Sequence, residues 1–172
     1  HYHLIKTITE YCPYLEKLSF RYLSYNSNIL QRIASNCSHI RNIVIWLDYS
    51  SSAEADADLT VFAEKCPQLE ELSLRCEQLT DQSVIALAQH CSKLKKLKLT
   101  CLLITATSLI ALSERGLPLE ELDIPRIPIP SAEIAAQCAH ALSRIRDLYT
   151  IGYVSAENIH YALQYMTGLR KL

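Results

Sequence analysis

The stretch "CPQLEELSLRCEQLTDQSVIALAQHC", residues 66–91, begins and ends with a cysteine and carries apolar residues in two different periods. Over residues 72–75 apolar and polar residues alternate, which is the period of a strand with one buried face. From Leu79 onward the apolar positions fit one side of a helix, and Thr80 or Asp81 stands where an N-terminal cap belongs. The stretch therefore predicts one short strand followed by one helix.

The same frame recurs along the chain. Cys12, Cys37, Cys66 and Cys91 are separated by 25, 29 and 25 residues, and Gly116 follows 25 residues later in the same position. Self-similarity with a period in the twenties is typical of a solenoid of stacked repeats. Three apolar positions follow each start at a fixed spacing: Leu15, Leu18 and Phe20; Ile40, Ile43 and Ile45; Leu69, Leu72 and Leu74; Leu94, Leu97 and Leu99; Leu119, Leu122 and Ile124; and, with Thr150 as the third member, Ile145 and Leu148.

One unit of strand and helix is too thin to bury its apolar side alone. Stacked units would bury a continuous core between a parallel sheet and a layer of helices. Further N-terminal caps are expected at Thr105, Ser131 and Ser155. The prediction is one α/β domain over residues 1–172: a curved, horseshoe-like solenoid segment with parallel strands on the concave face and helices on the convex face. Its units, about six in number, begin near residues 12, 37, 66, 91, 116 and 142.

The frame of residues 66–91 resembles the cysteine-containing leucine-rich repeat, C-x-x-L-x-x-L-x-L-x-x-C-x-x-I-T-D-x-x-L-x-x-L-A-x-x-C. That repeat is best known from F-box proteins and from relatives of mitotic-exit and DNA-repair factors. The resemblance covers nearly the whole chain and fades after Gly116. Cys76 and Cys101 depart from it, because they follow the last strand leucine by two residues where the pattern has three. We therefore expect a tighter turn after these strands.

The resemblance implies a protein-binding module, namely the substrate-recognition repeats of an F-box-type receptor of a cullin ubiquitin ligase. Such a module holds a protein substrate on its concave face, in the cytoplasm or nucleus. A cullin adaptor would bind only through a module absent from these residues. They begin inside a repeat helix and end in a strand, so a longer repeat protein is expected.

Two alternatives remain open. One is a leucine-rich repeat scaffold or inhibitor without ubiquitin chemistry, similar to mitotic-exit antagonist-like proteins. The other is a receptor assisted by a small ligand, as in the plant hormone-sensing F-box proteins. The second would need a basic pocket, which the one lysine-rich strand does not supply.

Composition argues against several other functions. Seventeen Lys and Arg against eighteen Asp and Glu leave a net charge of -1, so no global field attracts nucleic acid or an anionic membrane. The longest apolar stretch, residues 101–113, is shorter than the roughly 18 residues of a membrane helix. The three glycines cannot form a phosphate-binding loop, and no nucleophile motif is present. We expect neither a cofactor nor enzymatic activity.

The cysteines are expected to be small buried residues where a helix meets the next strand. Gly116 in the same position favours small size over thiol chemistry. Metal-binding pairs such as C-x-x-C are absent, so no metal is expected. Cys76 and Cys101 would lie on neighbouring strands, where a disulfide is sterically possible. The odd count of seven cysteines favours a reducing compartment.

Strand residues between the buried leucines would line the concave face. Arg21, Trp46 and Arg75 would form one column across three strands, and Trp and Arg are enriched at interface hot spots. The alternative is that Trp46 packs within the chain, on the inserted segment or in cation-π contacts with the arginines. The candidate partner-binding residues are Arg21, Trp46, Arg75, Lys96, Lys98 and Tyr149.

Charges on adjacent predicted strands alternate in sign. Acidic residues at 70–71 precede lysines at 95–98, which precede acidic residues at 120–123. We favour a role in stacking the units over a dedicated basic ligand site. Two segments break the repeat. The first, "DYSSSAEADAD" (48–58), is predicted as an acidic loop, which is a common place for binding function, and tolerance of an insertion explains it equally well. "IPRIPIP" (124–130) contains three prolines that should end its strand early.

Overall fold

The computed structural model describes residues 2–23, 28–101, 103–124, 129–149 and 156–171, and strands and helices alternate along them. The strands are β1 (Lys17–Leu23), β2 (Asn42–Leu47), β3 (Glu71–Arg75), β4 (Lys96–Thr100), β5 (Glu121–Asp123) and β6 (Asp147–Tyr149). The helices are α1 (Tyr2–Tyr11), α2 (Ile29–Asn36), α3 (Ser52–Lys65), α4 (Asp81–His90), α5 (Ala106–Glu114), α6 (Ala132–Gln137), α7 (Ala139–Arg144) and α8 (Ala156–Leu163).

The six strands form one parallel sheet in chain order, from β1 to β6. The repeated leucines share a register position, so that Leu72 pairs with Ile43 on one side and Leu97 on the other. The predicted α/β class and parallel pairing are confirmed. The register between β1 and β2 shifts between Phe20 and Leu23.

The core lies between one face of the sheet and the helices. Leu72 and Leu97 are each 1% exposed, and Leu87 of α4 is fully buried. From α1 to α5 each helix packs on the next one, and α5 contacts α7. Alternate strand residues are buried under these helices, whereas their neighbours point away from them. We call this second, uncovered side of the sheet the open face. None of the described helices is long and apolar enough to cross a bilayer.

The predicted helix caps are present. The hydroxyls of Thr80 and Thr105 accept hydrogen bonds from the backbone N–H two residues later, and Ser131 accepts from Ile134. Extended backbone at these residues leaves the side-chain oxygen free to satisfy a first-turn N–H. The predicted cap at Ser155 lies outside the described residues.

The prediction of a loop over residues 48–58 is wrong from Ser52 onward. Helix α3 begins at Ser52 and is 14 residues long, against 10 for α4. The Ser51 side chain accepts a hydrogen bond from the N–H of Glu54, as in the S-x-x-E start of a helix. Because Asp56 and Asp58 are buried in α3, the inserted residues lengthen a helix rather than forming a recognition loop.

Two helix carboxylates, Asp56 and Asp81, join successive units. Asp56 accepts hydrogen bonds from the N–H and hydroxyl of Thr80, at 3.0 and 2.6 Å, and from the Ser83 hydroxyl. Asp81 repeats this one unit later, accepting from Thr105 and Ser108. Burial alone would raise the pKa of Asp81, but the hydrogen bonds from Ser108 and Thr105 outweigh it and lower the pKa. We call each arrangement a carboxylate clamp.

A third carboxylate, that of Asp58, bonds to the preceding unit rather than to the following one. Asp58 accepts hydrogen bonds from the N–H groups of Leu30 and Gln31 at the start of α2, and from the Tyr49 hydroxyl. Burial, and then the charge of Asp58, raise the pKa of Tyr49. The Tyr49 hydroxyl therefore stays protonated and can donate to Asp58.

The prediction of buried cysteines is confirmed for Cys37, Cys66 and Cys91, which are fully buried, and is wrong for Cys12, which is exposed. Among the described residues no unit lies on the outer side of α1 to cover Cys12. The buried thiols also donate weak hydrogen bonds across units: the Cys37 sulfur lies 3.3 Å from the Cys12 carbonyl oxygen, and the Cys91 sulfur 3.8 Å from that of Cys66. Burial raises the pKa of Cys91 to about 12, so its thiol stays protonated.

Cys76 and Cys101 are both free, so the possible disulfide is not formed. Strand β5 has three residues against five in β4, as expected from the prolines that follow, of which those at positions 125 and 128 lie outside the described residues. Thr150, expected to end the sixth apolar frame, also lies outside them.

Candidate functional site

The open face carries side chains in register across six strands. One row runs from Lys17 through Asn42 to Asp147, and another runs from Ser19 through Val44 to Tyr149. A shorter row joins Trp46, Arg75 and Thr100. A groove of about 270 Å³ crosses this face from β2 to β5. It is lined by Asn42, Ile43, Val44, Glu71, Leu72, Ser73, Lys96, Lys98 and Glu121.

Trp46 and Arg75 form a cation-π pair on adjacent strands. The guanidinium carbon of Arg75 lies 5.2 Å from the centroid of the Trp46 ring, with Arg75 exposed and Trp46 half-buried. The alternative of a cation-π contact within the chain is therefore confirmed for Arg75. Part of the Trp46 side chain is still exposed beside Arg75. The side chain of Arg21, the third candidate in this column, lies outside the described residues.

Lys98 and Tyr149 meet although they lie two strands apart. The Lys98 ammonium is 2.5 Å from Oε1 of Glu121 and 4.9 Å from the centroid of the Tyr149 ring. The hydrogen bond with Glu121 raises the pKa of Lys98 and keeps it charged. The structure thus brings two candidate residues into one cluster on β4, β5 and β6.

Lys96 is held by carboxylates on both neighbouring strands. Its ammonium lies 3.3 Å from Glu71 and 3.8 Å from Glu121. Glu121 therefore receives both lysines, and its side chain is only 12% exposed. The predicted pairing of opposite charges on adjacent strands is confirmed here.

Asp123 and Val44 are open-face residues that sequence reasoning placed on this face but did not select as candidates. Asp123 lies in register between Lys98 and Tyr149, and burial raises its pKa. Val44 is 36% exposed beside the groove, which is high for a strand valine. The alternation of side chains along each strand could have identified them, because both residues project to the same face of the sheet as Lys98 and Tyr149.

A second charged row runs along the residues that precede the strands. Its members lie one per unit, and their signs alternate strictly. The Lys95 ammonium is 2.8 Å from Glu70. Arg41 lies 3.9 Å from Glu16 and 3.6 Å from Glu70, and Arg146 lies 3.7 Å from Glu120. Exposed pairs contribute at most about 1 kcal/mol each. The row consists of Glu16, Arg41, Glu70, Lys95, Glu120 and Arg146.

Sequence reasoning found only three members of this row. The signal for the others was the repeat period itself, applied to the residue before each strand. The pairs join neighbouring units, as Lys95 shows: its hydrogen bond to Glu70 raises the pKa of the lysine and lowers that of the glutamate. The row therefore supports the packing order of the units and offers little unpaired charge to a ligand.

No protein-family model matches the chain, and no curated protein matches it either. Across the described ranges, no three His, Cys, Asp or Glu side chains come together as a metal-binding group. The candidate site therefore rests on the geometry of the open face: its groove, the Trp46 and Arg75 pair, and the cluster around Lys98.

Proposed function

We propose that this chain is a leucine-rich repeat solenoid segment whose open face, the concave wall of the array, binds a protein partner. The observation that carries the proposal is the uncovered side of a parallel sheet that follows chain order, with a groove bordered by an exposed valine and a tryptophan–arginine pair. Val44 and part of the Trp46 side chain are exposed on this side, where they offer apolar surface to a partner.

The size of the face fits a protein better than a small molecule. Six strands spaced about 4.8 Å apart give a width of roughly 24 Å, and five residues give a length of roughly 16 Å. The resulting area of roughly 400 Å² is about half of what a stable interface buries on one partner. A partner would therefore also contact residues at the ends of the strands.

In this proposal the chain performs no chemistry. The resemblance to F-box leucine-rich repeats makes it the part of a ubiquitin-ligase receptor that holds a substrate, in the cytoplasm or the nucleus. The partner would contact Trp46, Arg75, Lys96 and Tyr149 beside Lys98, with Arg21 extending the same surface. Aromatic and arginine side chains supply most of the binding energy in such contacts.

The binding proposal is tested by affinity capture from cell lysate with quantitative mass spectrometry. Trp46→Ala should deplete the captured proteins at least about fivefold, because a hot-spot side chain contributes more than about 1 kcal/mol. Tyr11→Ala is the matched control, since Tyr11 is an aromatic residue of α1 that is 79% exposed and lies away from the sheet. Equal depletion by both variants, or by neither, would contradict binding through the open face.

The ligase part of the proposal needs its own experiment. The protein is purified from its native cells, and cullin adaptors are sought among the co-purifying proteins. Their presence supports the receptor assignment. Capture through the open face without any cullin adaptor would contradict the ligase assignment while leaving the binding function in place.

A further inference from the structure

We infer that the partner of the open face presents a basic side chain, arginine or lysine, to a cation subsite formed by Glu121, Asp123 and Tyr149. This inference rests on the proposed function and specifies the chemistry of the partner. In the free protein the subsite is filled by the chain's own Lys98.

The position of the Lys98 ammonium shows that the subsite accepts a cation. Lys98 extends from β4 across β5, with its nitrogen 2.5 Å from Glu121 and 4.9 Å from the centre of the Tyr149 ring. A carboxylate on one side and the face of an aromatic ring on the other form the arrangement in which proteins hold ammonium and guanidinium groups. The geometry needed for an incoming basic side chain is thus already present.

Around the subsite the carboxylates of Glu71, Glu121 and Asp123 outnumber the ammonium groups of Lys96 and Lys98 by one, so the local charge favours a basic partner side chain. Asp123 adds one negative charge beside Lys98, and the ion pairs of the described residues on this face go to other carboxylates. An acidic partner side chain would meet this excess of negative charge, whereas a basic one would neutralise it. The charged residues that line the groove itself cancel one another: they are Glu71, Lys96, Lys98 and Glu121.

Lys98 can give way to the partner. Its side chain is 38% exposed, and its flexible stem can swing the ammonium into water at little cost. An arginine in its place gains more, because a planar guanidinium can bond two carboxylates at once and stack on a ring. Glu121 and Asp123 are two positions apart on β5 and project to the same face, so one guanidinium can bridge them.

The rest of the face adds an apolar contact at a fixed distance. Val44 lies on β2, three strands from Asp123, which is about 14 Å at the usual spacing. A partner segment that fits both positions carries a basic residue and an apolar residue separated by about this distance.

The probe is a phage-displayed library of random dodecapeptides, selected against the immobilised chain. Selected peptides should be enriched in Arg and Lys, and the enrichment should disappear when Asp123→Asn is the bait. Selection of acidic peptides, or of peptides without charge preference, would overturn the inference. If peptides bind in a Trp46-dependent way but lack basic residues, the open face still binds and only the subsite fails. If none depends on Trp46, the proposed function fails as well.

The affinity of one selected basic peptide then tests whether Lys98 competes with the partner or helps to bind it. Lys98→Ala removes the competing ammonium and should tighten binding about two- to fivefold, which is the range for an exposed ion pair. Lys95→Ala removes the same charge from the neighbouring row and should leave the affinity unchanged. Weaker binding by Lys98→Ala would show that Lys98 itself contacts the peptide, and would overturn the inference. Thermal melts of each variant check that the fold is intact.

Discussion

The carboxylate clamp at Asp56 gives the sharpest stability prediction. Asp56 is 5% exposed and accepts three hydrogen bonds from Thr80 and Ser83 of the following unit. Asp56→Ala removes the acceptor without lowering helix propensity, because alanine is the best helix former. Ser83 is fully buried, so water cannot replace the lost acceptor, and an unsatisfied buried donor costs about 1 to 3 kcal/mol. With the bonds to Thr80, the expected loss is about 2 to 4 kcal/mol.

Asp81→Ala is the matched control in the next unit. It removes an acceptor with the same three donors, from Thr105 and Ser108, but Asp81 is partly exposed and water can take its place. The expected loss is about 1 kcal/mol. Urea unfolding followed by circular dichroism measures both free energies of unfolding. A loss for Asp56→Ala no larger than that for Asp81→Ala would refute the reasoning.

A double variant isolates the buried donor. Ser83→Ala removes the hydroxyl that Asp56→Ala leaves without an acceptor. The combined loss should therefore fall short of the sum of the single losses by about 1 to 3 kcal/mol. Simple additivity would show that Ser83 and Asp56 do not interact as described.

Three further outcomes are expected. Leu72→Ala should cost about 2 to 5 kcal/mol of unfolding free energy, and Trp46→Ala much less, because only Leu72 is fully buried; equal losses in urea unfolding would place Trp46 in the core. With a thiol reagent at mild alkaline pH, Cys12 should react fast in the native protein and the buried cysteines only after denaturation; several fast thiols would contradict their burial. Asp81 has a lowered folded-state pKa, so its stabilisation is complete above the ordinary value of 3.8 and is lost as the pH falls through the lowered one. The stability gap between wild type and Asp81→Asn should therefore shrink from about pH 6 to about pH 3, and a constant gap would contradict the lowered pKa.

The repeat period was enough to predict the strands and most of the helices, but not the start of α3 at Ser52 or the division of the fifth unit's helix into α6 and α7. Residues such as Leu72 and Leu97 recur at a fixed interval and alternate with polar residues, which requires a strand with one buried face. The caps at Thr80 and Thr105 followed from the same alignment, because a hydroxyl before an apolar helical face has one common role. Strand order then followed, since consecutive identical units pack on one another.

Contacts between units were harder to predict. Asp56 sits in a segment rich in Ser and Asp, a composition shared by loops and by first helical turns. The carboxylate is stable there because Thr80 and Ser83 of another unit satisfy it, and that tertiary contact decides in favour of helix. The prediction that Cys12 is buried was wrong because it also depended on a tertiary contact. The position of a cysteine in the repeat implies burial only where a neighbouring unit covers it.

On the open face, the alternation of side chains along each strand predicted which residues project outward, but not which residues they contact. Trp46 and Arg75 were expected in one column and do form a pair. The contact between Lys98 and Tyr149 spans two strands, a reach set by the lysine rotamer rather than by the period. Such long, flexible side chains carry little positional information in sequence.

Site-specific photo-crosslinking tests the central claim most directly. A benzophenone amino acid is placed at Val44 on the open face, and in a second variant at Gln89, an exposed residue of α4 on the helical side. After irradiation in cells, the Val44 variant should form a discrete covalent adduct with a partner protein, and the Gln89 variant should not. Adducts from Gln89 alone, or equal adducts from both positions, would contradict recognition by the open face.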